Sequence, residues 1–589
     1  MMGISAGIAS AQSRIAFEVS FTEPQAHYAD VQMQIVGNKQ SYVDVKMPVW
    51  APGSYLVREF AKNVEGFKAV DAKGQSLRAE KINKNTWRIQ ANKKDQIRIN
   101  YRVYAFEISV RTSFVDASHA FLSPTGIFMY PDGALNQSST VTIKPFQTWS
   151  KVTTGLEPVA GKAFTYQAPN FDVLFDSPIE VGNQDIFEFT ASGVRHEVAM
   201  YGGGNYDKER LKKDMARIVE ECTSIFGINP NKYYAFIVHN YANGGGGLEH
   251  LNSTVLGATR MGYTNENTYL GFLSLVAHEY FHLWNVKRMR PAALGPFNYD
   301  AENYTSNLWI AEGFTAHYDN LLVRRAGFYN LEKYLEVLAA GMNLIDNQPG
   351  NKYQSASEAS FDAWIKYYRP NENSRNSSIS YYDKGALIAM LMDLEILNAT
   401  NTQKGLDDVM KAVYDLYYQK VNRGYTDAEF KAMVEKVAGQ SFGRFYDDFV
   451  YGVAPVDYKQ YFAYAGFDVI DENAQKNEAY LGASFIVREG KLLVSSVLRD
   501  SPAWKFGLNV NDELRTIDGE KPSFAPRDAE KFFATKQVGD EVKLGVFRDG
   551  MEQLLPIKLM RNPAVKYKIL SLEQPTEKQL ALRKKWLKL

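Results

Sequence analysis

Apolar and polar residues alternate with a period near two through residues 14–180. The runs RIAFEVSF, DVQMQIV, YVDVKMPVW and QIRINYRVYAF each turn one face inward and one toward water, and Gly37-Asn38 and Asp132-Gly133 mark turns between such runs. The pattern predicts a β-rich domain of sandwich type. After about residue 204 the period lengthens. YDKERLKKDMARIVEECTSIFG has helical spacing and stops at Gly227. KYYAFIVHNY reads as a strand and runs into the glycine-rich ANGGGGLEH. From about 268 to 450 helical spacing dominates, over 269–286, 306–326, 330–345, 383–398, 404–420 and 426–438. A third region begins near 478 with short strands, a short helix and turns, and Asp549-Gly550 marks a hairpin in it. The tail TEKQLALRKKWLKL predicts a basic amphipathic helix, docked on the last domain rather than on a membrane.

These segments predict a multidomain α+β chain: a β-sandwich-like domain over 13–185, a mainly helical domain over 186–470, a β domain over 471–562 and a helical tail over 563–589. The length of 589 residues suits about three or four domains. With 45% hydrophobic residues, 36 Tyr and 34 Phe there is material for several cores. Lys+Arg and Asp+Glu are both 67, so no net field favours nucleic acid or an anionic membrane. No apolar run reaches the roughly 18 residues of a spanning helix. The lone cysteine, Cys222, forms no intrachain disulfide. At the start, the small residues Gly3–Ala9 and the pattern Ala9-Ser10-Ala11 read as an export-signal remnant over 1–12, which implies a periplasmic or secreted protein.

The chain has only eight histidines, and two stand four apart in LVAHEYFHLWNV, residues 275–286. On a helix, His278 and His282 share a face and present two imidazoles to one zinc ion. Glu279 lies one step round, where a general base takes a proton from a metal-bound water. Two core histidines beside a buried carboxylate would be costly without a shared partner. A catalytic zinc takes a third protein ligand and keeps one position open. Glu312, in NLWIAEGFTAHYDNLL on the next helical segment, is the candidate, because its apolar neighbours argue for a buried helix. His317 is an alternative third ligand, and Asp319 an alternative orienting group.

His278-Glu279-x-x-His282 followed by Glu312-Gly-Phe-Thr resembles the gluzincin metallopeptidases. Within that class, HEYFHLWNVKRMRP with LWIAEGFTAHY is similar to the glycyl aminopeptidase family, which carries a PDZ domain. The resemblance covers nearly the whole chain. MPVWAPGSYLVREF, residues 47–60, looks like that family's N-terminal β domain. The resemblance implies one zinc per chain, a thermolysin-like catalytic domain, and removal of N-terminal residues from peptides, with a preference for small ones such as Gly or Ala.

Other segments fit beside this. In NGGGGLEHL, residues 243–251, glycines leave the backbone bare, so an extended peptide can pair with it at Gly246 and Gly247. Glu249 then stands near the first substrate residue and can hold its ammonium group. This loosely resembles the exopeptidase motif Gly-x-Met-Glu-Asn, with Leu248 for the methionine and His250 for the asparagine. Tyr382-Asp-Lys-Gly resembles the Tyr-Glu-Lys-Gly of the aminopeptidase N group, whose tyrosine stabilises the oxyanion; Tyr381 is the neighbouring rival. YLGASF, residues 480–485, sits where a PDZ domain keeps its carboxylate-binding loop, with Ala483 in place of the usual second glycine, so a C-terminal peptide is a possible ligand there. Two other functions stand beside the aminopeptidase: an endopeptidase with the same metal site, and a non-catalytic peptide-binding adaptor.

Overall fold

The structure is a computed structural model, and it describes residues 14–589. The segment read as an export-signal remnant lies outside the described residues. Residues 14–304 with 414–425 form one compact unit, and 305–413 with 426–589 a second.

The first unit opens with the predicted alternating strands. Strand β1 (Ile15–Ser20) pairs antiparallel with β2 (Tyr28–Val36), which pairs with β3 (Gln96–Tyr104) in an eight-stranded sheet. Val31 faces Tyr101, Met33 faces Ile99 and Ile35 faces Ile97, so each second residue drops into one core. Two four-stranded sheets complete this β region.

A five-stranded mixed sheet follows. Its inner strands include β4 (Tyr233–Tyr241), and its last pair is β5 (Gly247–Glu249), antiparallel to β6 (Ser253–Thr259). β4 is buried along almost its whole length, as expected of a strand covered on both faces. Helix α1 (Lys208–Phe226) is capped by the Asp207 side chain and ends at Gly227 in the left-handed conformation. It packs against α2 (Glu266–Phe281), whose first turn is capped by Asn265. The sequence pattern carries this helix to 286, but it stops at Phe281. The His282 ring then donates to the Asn285 carbonyl at 2.6 Å, and Arg288 caps the Leu283 carbonyl at 2.8 Å.

The second unit is mainly helical. A π-helical stretch, Trp309–Phe314, leads into α3 (Thr315–Arg325), followed by α4 (Leu331–Asp346) and α5 (Tyr381–Ala399). Strand β7 (Phe467–Asp471) precedes a small five-stranded sheet whose first pair is β8 (Ala483–Arg488) and β9 (Lys491–Val497). Phe485, Val494, Leu514, Phe533, Leu544 and Ile557 form the separate core of this region. The chain returns as β10 (Tyr567–Ser571), antiparallel to β7, and ends in α6 (Glu577–Leu587). Leu582, Trp586 and Leu587 are buried, and α6 packs against α5 and α3. The basic tail is therefore a docked helix, but it docks on α3 and α5 of the helical region and not on the last β domain as the sequence pattern suggested. Among the described residues, no helix is long and apolar enough to cross a membrane.

Candidate active site

The predicted site residues fall in both units. In the first, α2 ends on the His-Glu-x-x-His motif. The rings of His278 and His282 lie 4.8 Å apart, centroid to centroid. Because the carbonyl of Asn285 accepts from His282 Nδ1, the proton sits on Nδ1 and Nε2 presents its lone pair. That is the tautomer a metal ligand needs. His282 is 1% exposed and Glu279 4% exposed.

The edge strand β5 completes this half. Leu248 turns into an apolar cluster with Val110, Phe121, Ile237 and Val255. By alternation Gly247 and Glu249 face the other way. A Cβ on Gly247 would run into the Glu279 carboxylate, so no other residue fits there without displacing the motif glutamate. Gly246 has φ +79°, a left-handed conformation that glycine adopts freely. Glu249 is buried, and one potential ligand atom each from Glu249, Glu279 and His282 lies within 4.8 Å of the others. Two buried carboxylates this close repel in a low dielectric, so the donor set calls for cations beside it. The neighbouring His250 is bound to Asp176 at 3.0 Å, and Lys287 reaches the same carboxylate at 2.8 Å. Burial pushes the Asp176 carboxyl up, but Lys287 and His250 outweigh it and hold it below the usual range. This network pins the strand just past Glu249.

Two contributions from the β region were not visible in the sequence. Gly53, with φ +86°, lies so close to Glu249 that a Cβ there would meet both carboxylate oxygens. Pro52, Gly53, Tyr55 and Glu249 share a cavity of about 270 Å³ with Lys287 and Arg290. Arg111 donates to the Gly247 carbonyl at 3.3 Å. Both come from loops more than a hundred residues upstream of β5.

In the second unit, Glu312 is 2% exposed and sits inside the π-helical stretch. Such stretches are rare and occur often at functional sites. The adjoining Gly313 touches α5: a Cβ on it would strike Gly385, and one on Gly385 would strike the Trp309 carbonyl. The two glycines let the segment bearing Glu312 and the helix bearing Tyr382 meet backbone to backbone. Tyr382 feels the result. Burial, then the Glu312 carboxylate, hold its phenol well above the ordinary range, so it stays a proton donor at neutral pH. Tyr381 is fully buried and stacks on Tyr382 at 4.7 Å. His317 is turned toward another charge pair: burial, then Arg325, press its pKa down to about 3.

One further group in the first unit has metal-like composition: His119, Glu180 and His239. His119 Nδ1 pairs with one Glu180 oxygen at 2.7 Å and His239 Nε2 with the other at 2.9 Å. Both carboxylate oxygens are thus used, and the contacts act as a buried polar clamp between the β region and β4.

Comparison with known proteins gives three family matches. Residues 16–183 match the peptidase M61 N-terminal domain, 271–388 the M61 glycyl aminopeptidase, and 479–559 the PDZ domain. A crystal structure of an aminopeptidase N family protein from Idiomarina loihiensis is 30% identical, with a TM-score of 0.89, covering 97% of this chain and 100% of that one. An M1 zinc metallopeptidase from Deinococcus radiodurans is 12% identical with a TM-score of 0.44, covering 73% of this chain and 91% of that one. Aminopeptidase A from Legionella pneumophila is 12% identical with a TM-score of 0.47, covering 82% of this chain and 55% of that one. No curated protein matches the chain.

Proposed function

The chain belongs to the M61 glycyl aminopeptidase family and is a zinc-dependent peptidase with a PDZ domain, and from that premise we propose that it removes single small residues, Gly or Ala, from the free N-termini of peptides. The observation that carries this reading is the grouping of Glu249, Glu279 and His282 on an edge strand and the helix beside it. A carboxylate at the strand's end, next to the catalytic motif, suits an ammonium group.

We assign one zinc per chain to His278, His282 and Glu312. When bound, the ion polarises the scissile carbonyl and acidifies a water molecule. The chain's own residues do the rest. The outward-facing backbone of β5 pairs with the peptide and sets its direction. Glu249 receives the ammonium group, which fixes the first residue. Glu279, held against Gly247, takes a proton from the attacking water and passes it to the leaving amine. Tyr382 donates to the oxyanion. Support for small first residues comes from Gly53, whose backbone lies against the Glu249 carboxylate so closely that not even a Cβ fits between them. Export from the cytoplasm is proposed on residues 1–12 alone.

The test uses glycyl or alanyl anilide beside an N-acetylated peptide, each with and without a chelator. The free-amine substrate should be cut and the acetylated one spared, with all activity lost to the chelator. Glu249→Ala should lower kcat/KM on the anilide by about 10- to 200-fold, the worth of a charge-assisted contact of about 1.5–3 kcal/mol. Equal cutting of acetylated and free peptides by the wild type would make the protein an endopeptidase.

A further inference from the structure

Arg111 stands on the open edge of β5. It is presented by a closed loop, residues 106–114. A bridge joins Phe106 to Phe114, and the Thr112 hydroxyl donates to the Glu107 carbonyl at 3.2 Å. Arg111's own backbone is fixed on both sides: its N–H donates to Ser109 Oγ at 3.1 Å, and its carbonyl accepts from Ser123 Oγ at 3.1 Å. The preceding Val110 is 6% exposed and wedged into the cluster behind Leu248. The loop is therefore anchored to the back of the strand, and the arginine side chain reaches its edge.

The position on that edge matters. β5 is the last strand of its sheet, and β6 uses one side of it: Gly246 accepts from the Gly257 N–H at 2.8 Å, and Leu248 from the Thr254 hydroxyl at 2.9 Å. In an antiparallel pair, alternate residues turn their backbone groups outward. The Gly247 carbonyl is one of these, and Arg111 Nη2 donates to it at 3.3 Å. Gly247 lies two residues from Glu249, roughly 6.6 Å along a strand. An extended dipeptide spans roughly the same distance from its ammonium group to its carboxylate. The strand thus carries a carboxylate at one residue and a guanidinium at another, about one dipeptide apart along its backbone, and Glu279 lies against the same Gly247 that Arg111 contacts.

We propose that Arg111 receives the terminal carboxylate of a dipeptide whose ammonium group is held by Glu249, so that dipeptides are the preferred substrates. This rests on the reading of Glu249 as the ammonium anchor. Arg111 acts in substrate recognition and takes no part in proton transfer. A guanidinium suits the task, because its planar fork matches a carboxylate.

The experiment compares three substrates on the full-length, zinc-loaded protein: glycyl-alanine, glycyl-alaninamide and N-acetylglycyl-alaninamide. The wild type should prefer the acid over its amide by about tenfold to a hundredfold in kcat/KM, expressed mainly in KM. Arg111→Gln should bring that ratio close to one, and Arg111→Lys should restore part of it. A ratio near one in the wild type would overturn the proposal. So would an Arg111→Gln protein that loses acid and amide equally, because a merely structural role leaves the ratio unchanged. Rapid cutting of glycyl-alaninamide with the acetylated amide spared shows the ammonium anchor to be intact, so an acid-to-amide ratio near one then counts against Arg111 alone. Equal cutting of the two amides would instead remove the anchor, and this inference with it.

Discussion

Two buried glutamates carry different burdens here. Glu279 is held against Gly247 at the edge strand, and Glu312 sits in a π-helical stretch beside Tyr382. If Glu279 is the base and Glu312 the metal ligand, amide substitution separates them. Glu279→Gln should retain zinc and lose at least about a hundredfold in kcat, since an amide cannot accept the proton. Glu312→Gln should lose zinc itself, measured by metal content after dialysis. Equal metal loss in both would mean that the roles are misassigned. The motif residues were legible in the sequence because a helix fixes the i, i+4 geometry of His278 and His282 locally. Glu249 was legible because bare glycines next to a charged residue are hard to explain by packing alone. Gly53 and Arg111 were not, because no local period links a loop in the β region to a strand more than a hundred residues later. The Gly of Glu312-Gly and that of Lys384-Gly stood in the sequence as family marks, and the structure supplies their physical reason in backbone contact.

Strands and helices followed the hydrophobic period wherever one face is buried, as in β2 and β3. The departures are at ends and irregular turns. The segment 283–286 continues helical spacing, yet α2 stops at Phe281, and two side chains satisfy carbonyls past its end: the His282 ring donates to the Asn285 carbonyl and Arg288 to the Leu283 carbonyl. The π-helical geometry at 309–314 leaves no trace in a hydrophobic period, since every residue there is buried. A different side chain ties the sheet to α2. His196, on the strand Val194–Tyr201, pairs with the Tyr280 hydroxyl at 2.9 Å and stacks on Phe189 at 4.8 Å. Burial lowers its pKa from 6.5 to about 4. The folded state then binds fewer protons than the unfolded chain between these values, so stability is full above pH 6.5 and is lost as pH falls toward 4. The loss at pH 5 is about 2 kcal/mol from this one group. His196→Phe should keep the stack, lose the hydrogen bond and flatten the decline of Tm between pH 7 and pH 5. An unchanged slope would assign the acid sensitivity to other groups.

At the scale of the chain, the PDZ domain is an insertion rather than a terminal appendage. It leaves the helical unit through β7 and returns through β10, and these two strands pair along their whole length, Phe467 with Ser571 through Asp471 with Tyr567. Asn347 holds the return with its side chain, accepting from the Val565 N–H at 2.8 Å and donating to its carbonyl at 2.9 Å. After the insertion the chain still has work to do in the helical unit: α6 buries Trp586, and Arg325 donates to the Trp586 carbonyl at 2.9 Å. Simple truncation before the PDZ domain would therefore strip a buried helix from α3 and α5 and damage the catalytic unit for reasons unrelated to peptide binding. Excision is the informative cut. Removing residues 475–563 and closing the β7–β10 ribbon with a short Asn-Gly turn keeps both strands and α6. Contacts of two residues are lost: Asn376, just ahead of α5, donates to the Val497 carbonyl and accepts from the Arg499 N–H, each at 2.8 Å, and Tyr353 donates to Asp500 at 3.3 Å and lies under the Arg499 guanidinium. The excised protein should bind zinc fully and cut glycyl anilide within several-fold of the whole chain, because Tyr382 is held by Gly385 against Gly313 and not by the PDZ domain. A truncation ending at residue 470 should lose far more, with a lower Tm. If the excised protein also lost its zinc, the PDZ domain would be a structural part of the catalytic unit, and its groove would be no independent module for peptide delivery.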